Sequence, residues 1–309
     1  MPQDWASTQN NLGNALSDQG ELSSGTQAVE LFAQAVEAFR AALEVRTRTD
    51  MPQDWARTQN NLGSALSFEG EHSSGPQATN LFAQAAVAYR AALEVYTKTD
   101  LPQKWVMTQE NLGEALFDQG ERSNGSEAAS ILAEAASAFE SVLEVSPASK
   151  NSLRGLSNID HEVLFRFDRA VQLDETLVKI DPGTSSSLDF EEANLTVSNF
   201  SECIEAASTI GDQGLSDSDL LVRDTIEFAC QAGAGKRADA LTTAKVISEK
   251  VSTLKNGSFN FTGTLHYLSA SPSFESGRAS WIALFESMDK GDGAAMAAAV
   301  GQLEEVMHR

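Results

Sequence analysis

The chain has 309 residues, 44 acidic against 22 basic, and a formal net charge of −22. Such a charge repels phosphate backbones and anionic membrane surfaces, which excludes nucleic acid as a natural partner; with 41% hydrophobic residues the chain can still build a packed core. Cys203 and Cys230 have no CxxC spacing and read as two reduced core thiols, no apolar run reaches the roughly 18 to 20 residues of a membrane span, and the N-terminus lacks a signal-peptide pattern, so a soluble, cytoplasmic protein without membrane insertion is expected.

The first 150 residues are one phrase written three times. Residues 1–50 and 51–100 agree at 37 of 50 positions, and 101–150 follow in the same register. Each copy predicts two helices. In the first, Trp5, Leu12, Ala15 and Leu16 fall on one helical stripe, with Pro2 at the start, where a missing N–H costs nothing, and Gly20 to Gly25 closing it. In the second, about 26–47, Ala28, Leu31, Phe32, Ala35, Ala38, Phe39, Ala42 and Leu43 recur at intervals of three and four. Two helices with such broad apolar stripes bury them only by stacking on the next pair, so an all-α, helical-hairpin solenoid is predicted.

Mid-helix glycine costs about 1 kcal/mol relative to alanine. Its recurrence at Gly13, Gly63 and Gly113 therefore predicts a close approach of the partner helix, with Leu12, Leu62 and Leu112 beside it as packing residues. Trp5, Trp55 and Trp105, one per copy beside a turn, read as spacers filling the gap between successive copies.

Leu12-Gly13, Leu16, Ala35, Phe39 and Ala42, repeated as Leu62-Gly63, Leu66, Ala85, Tyr89, Ala92 and again as Leu112-Gly113, Leu116, Ala135, Phe139, resemble the tetratricopeptide repeat family. The Asn-Asn-Leu-Gly wording is closest to its kinesin-light-chain-like branch. The family's closing proline is absent from the first two copies, where Thr47 and Thr97 stand, and present as Pro147 in the third. The family unit is about 34 residues; the extra residues here fall between the signature halves and after the second.

The resemblance implies that the first helices line a concave face that binds an extended peptide. The inward columns it assigns are Ser7, Asn10, Asn14 and Ser17; Arg57, Asn60, Ser64 and Ser67; and Met107, Glu110, Glu114 and Phe117. The family's cationic carboxylate clamp does not fit, since of its places only Asn14 matches in type and Glu110 and Glu114 stand where bases are expected. Amides that can pair with both backbone groups and an acidic third copy favour a neutral or basic segment of a protein or peptide. Asn11, Asn61 and Asn111 read either as bridges between helices or as ligand contacts. No polar capping helix precedes the first copy, which leaves its outer face to stack on further repeats or on a second copy in a homo-oligomer.

After Pro147 the phrase stops, giving expected domains of 1–150 and 151–309. Residues 159–180 form a helical stripe ending at Asp181-Pro182, and 151–184 read alternatively as a degenerate fourth repeat. Further helices are predicted over 188–210, 217–232 and 237–254, with Ser216 to Asp219 as an N-terminal cap. Phe259, Phe261, Gly263, Leu265 and Tyr267 alternate with polar residues, which predicts a short β-hairpin or extended arm near 259–268. Helices over 280–288 and 293–307 close the chain.

Catalytic signatures are missing. His72, His161, His266 and His308 form no HxxxH or HExxH pair, so neither a metal nor a cofactor is expected. Asp289 to Asp292 lack the remaining oxygens of a calcium loop, and Gly233 to Lys236 lack the spacing and hydroxyl of a phosphate loop. The expectation is a non-enzymatic interaction or scaffold module. Two alternatives stay open: a regulatory or effector protein whose C-terminal half senses a ligand or carries its own activity, and a self-assembling scaffold.

Overall fold

The computed structural model describes residues 1–210, 215–251 and 260–308. Among them all regular structure is helical, and the chain divides into two compact units, Met1–Gly155 and Leu156–Arg309.

The N-terminal unit holds three hairpins: α1 (Pro2–Glu21) with α2 (Gly25–Leu43), α3 (Pro52–Glu71) with α4 (Gly75–Leu93), and α5 (Pro102–Glu121) with α6 (Gly125–Leu143). Each first helix opens on its proline. Each turn passes through a glycine at φ 59–60°, Gly25, Gly75 or Gly125, a left-handed conformation that side chains disfavour. Each second helix then packs on the next first helix, α2 on α3 and α4 on α5. The apolar faces meet as the repeat pattern requires: Phe32, Phe39, Phe82, Tyr89 and Phe139 are buried at the centre of their hairpins.

The close approach predicted at the repeated glycine is real, and an aromatic ring makes it. A Cβ on Gly13 would lie 2.6 Å from the Phe39 ring, on Gly63 2.7 Å from Tyr89, and on Gly113 2.7 Å from Phe139. The ring occupies the volume a side chain would need, which outweighs the propensity cost of glycine. The packing columns differ at the first repeat. Leu62 and Leu112 are 8% and 5% exposed, whereas Leu12 is 47% and Trp5 42% exposed. Among the described residues none covers Leu12 and Trp5 on the outer face of α1, whereas Leu62 and Leu112 are packed.

The C-terminal unit begins within α7 (Lys150–Asn158) and continues through a π-helical turn (Ile159–Val163), α8 (Phe167–Ile180), α9 (Thr184–Thr196), α10 (Phe200–Thr209), α11 (Asp217–Gly233), α12 (Arg237–Lys250), α13 (Thr262–Ala270), α14 (Arg278–Asp289) and α15 (Gly293–His308). Phe228, Phe274, Trp281 and Phe285 centre its core, with Phe228 and Phe274 rings 4.8 and 5.3 Å from that of Trp281. Ser216 and Asp219 cap α11 reciprocally, each side chain taking the other's backbone N–H.

Four expectations are corrected here. The stripe over 159–180 is not one helix: the π turn and Phe165 at φ 51° break it. The helix over 188–210 is two, parted at Ser198 with φ 60°. The β-hairpin near 259–268 is α13 from Thr262 onward, started by Asn260, whose Oδ1 accepts the Thr262 N–H and hydroxyl; Phe259 lies outside the described residues. Cys203 and Cys230 are joined in a disulfide between α10 and α11 rather than reduced.

Candidate functional site

The first helices α1, α3 and α5 expose a polar stripe, set by the seven-residue return of the helix to the same face. Ser7, Arg57 and Met107 are exposed, and so are Asn14 and Glu114, with Ser64 half-buried between them. Asn11 is exposed one turn along, and Asn61 and Asn111 are half-buried. The Asn61 amide donates to Asn14 Oδ1 at 2.9 Å, tying neighbouring repeats across the stripe.

The column starting at Asn10 points elsewhere. Asn10 and Asn60 are 3% and 8% exposed; the Thr58 hydroxyl donates to Asn10 Oδ1 at 3.1 Å and the Thr108 hydroxyl to Asn60 Oδ1 at 2.9 Å. In the third repeat Glu110 accepts from the hydroxyls of Ser149 and Ser152. These side chains form a ladder between successive repeats, so Asn10 and Asn60 are corrected from groove contacts to seam contacts. Buried Arg46 reinforces the same seam, donating to Thr58 Oγ1 at 2.7 Å and Ser7 Oγ at 3.2 Å.

The stripe turns acidic along α5. Glu114 keeps an exposed edge, yet the protein around its carboxyl desolvates it, and Glu110, Asp118 and Glu71 repel it further, pushing it up to about 7. Burial also raises Asp118, against the opposing Arg122 guanidinium 2.8 Å away. Beside these acids, between the α3–α4 and α5–α6 turns, lies a hollow of about 900 Å³ lined by Pro76, Asn80, Gln119, Arg122, Asn124 and Glu127.

Residues 5–49 match the family model described as tetratricopeptide repeat. The first repeat is a tetratricopeptide repeat. The other two tetratricopeptide-like hairpins share its helix bounds, its glycine–ring contact and its seam; the match does not distinguish the kinesin-light-chain-like branch. One solved structure, described as the TPR2AB-domain:pHSP90-complex of yeast Sti1, is 13% identical over 98% of each chain with a TM-score of 0.33, a likeness too low to carry an argument about this chain. No curated protein matches it. Among the described residues no helix is long and apolar enough to cross a membrane.

A second polar centre, in the C-terminal unit, was not legible in the sequence. The π turn presents His161 and Glu162, α9 presents Glu192, and their ligand atoms lie within 4.8 Å of one another. His161 Nδ1 pairs with Glu162 Oε1 at 2.7 Å. Burial pushes the Glu192 carboxyl up, with His161 opposing and Glu162 adding to the effect. At His161 burial acts downward, but the hydrogen bond to Glu162 and the nearby acids outweigh it. The only sequence signal was the His-Glu pair itself; Glu192 arrives from another helix through tertiary packing.

Proposed function

We propose that the tetratricopeptide array is a protein-interaction module that takes an extended, neutral or basic segment along its concave face. Ser7, Arg57 and Met107 form one accessible column, and Asn14, Ser64 and Glu114 the next. The observation that carries this reading is the polar stripe left open on all three first helices, while the amides one turn away are used up inside the seam. Asn14 and Asn61 offer both donor and acceptor to an extended backbone. Glu114 and Asp118 would favour a lysine or arginine at one end of the segment, whereas Glu110, expected there too, is engaged by Ser149 and Ser152. Short α7 is read as the remnant first helix of a fourth repeat closing the array, since a Cβ on Gly155 would lie 2.5 Å from the Phe39-equivalent ring, Phe139.

Selection of a random-peptide display library on the full chain tests the reading. Enriched peptides should carry Lys or Arg and should lose binding to Asn14→Ala combined with Glu114→Gln. Acidic peptides, or binding indifferent to both substitutions, would count against it. The bare outer face of α1 favours a second reading, pairing of two copies through Trp5 and Leu12. Sedimentation equilibrium should then show a dimer that Leu12→Ser dissociates; a monomer at all concentrations would dismiss it.

A further inference from the structure

We propose that His161, Glu162 and Glu192 form a binding site for one divalent transition-metal ion of the zinc or manganese class. An imidazole nitrogen and two carboxylate oxygens make a mixed donor set that suits such ions better than magnesium or calcium, which prefer oxygen alone. Three donors within 4.8 Å of one another need side-chain shifts of only about an ångström to reach a common ion at about 2.0 to 2.2 Å.

The surroundings are those of a supported site. The Gly263 N–H donates to Glu162 Oε2 at 2.8 Å, and the Thr264 hydroxyl to Glu192 Oε1 at 2.5 Å. One oxygen of each carboxylate is thus held by the start of α13, and the other Glu162 oxygen meets the His161 ring, the kind of outer hydrogen bonding that orients ligands. Gly263 could not be another residue, since a Cβ there would lie 2.6 Å from the His161 carbonyl oxygen. His161 is 7% exposed, and its Nε2 is shut off from solvent with no hydrogen-bond partner among the described residues. A buried ring nitrogen without a partner is costly unless something binds it. The π turn that places His161 beside Glu162 is a distortion found often at functional sites.

The full chain, stripped with a chelator, should take up one Zn²⁺ per molecule in a calorimetric titration and bind Mg²⁺ far more weakly. Glu192→Gln and Glu162→Gln should each abolish or greatly weaken uptake. Thr264→Val, which removes only the orienting hydroxyl, should weaken it about 10- to 100-fold. The double variant His72→Ala/His308→Ala should bind as the unaltered chain does. Circular dichroism melts establish that each variant folds. Independently of any substitution, Zn²⁺ should shift the imidazole ¹⁵N resonances of one of the four histidines, His161. Absence of stoichiometric uptake, uptake unchanged in Glu192→Gln, or shifts at the other histidines instead would each overturn the proposal.

Discussion

Asn60 and Asn14 look interchangeable in the sequence, each an amide on a first helix, and the structure buries the first and exposes the second. Asn60 Oδ1 is the acceptor for the buried Thr108 hydroxyl, so Asn60→Ala should cost about 1 to 3 kcal/mol of stability in chemical denaturation, the penalty of an orphaned buried polar group. Asn14→Ala should leave stability nearly unchanged and weaken peptide binding. Which amide faces the seam depends on a rotation of about 100° per residue, finer than a stripe of polar residues reveals. Glu114 supplies a pH test. Its carboxyl titrates near 7 when folded, against an ordinary value of 4.5, so between those values the folded chain binds more protons than the unfolded one. Its contribution to stability is present at low pH and is lost as pH rises through about 7. Glu114→Gln should flatten that part of the unfolding-versus-pH curve, and a basic peptide should bind the unaltered chain more tightly at pH 8 than at pH 6; an unchanged profile in the variant would refute the assignment.

Helices with strong periodicity were legible to within a few residues, and those containing a backbone break were not. The three hairpins follow from the repeated stripe because each apolar column has one place to go. The glycine in each first helix pointed correctly to a close approach, though not to the ring that makes it. Gly63→Ala gains about 1 kcal/mol of helix propensity, but its Cβ would meet the buried Tyr89 ring at 2.7 Å. Overpacking of about 1 to 3 kcal/mol wins, so the substitution should lower the melting temperature; a rise would show that the ring yields. In the C-terminal unit Phe165 and Ser198 adopt left-handed backbone angles, which nothing in their residue type announces, and so apolar runs over 159–180 and 188–210 read as continuous. Near Tyr267 the alternation of apolar residues imitated a strand because the covered side of the short helix α13 is broad enough to take Gly263, Leu265 and Tyr267 together with Thr264 and Leu268, leaving Thr262, His266 and Ser269 exposed.

For the molecule as a whole, repetition made the N-terminal unit readable and its absence left the C-terminal one obscure. Two cysteines 27 positions apart say nothing about pairing, yet Cys203 and Cys230 are fully buried and bonded. Closing a loop of that length should contribute about 3 to 4 kcal/mol by chain entropy, so Cys203→Ala/Cys230→Ala should shift the urea midpoint downward, and an unmoved midpoint would show that the bond adds nothing. In the proposed reading the net charge of −22 sets the kind of partner the array attracts, and the exposed stripe of the first helices sets where. The most direct measurement is photo-cross-linking of a display-selected basic peptide to the full chain carrying p-benzoylphenylalanine at a single position. Placed at Arg57 or Met107, on the exposed stripe, the probe should form peptide adducts; placed at Val87, 64% exposed on the second helix α4, it should form none. Adducts at Val87 with none at Arg57 or Met107 would contradict binding along the first helices.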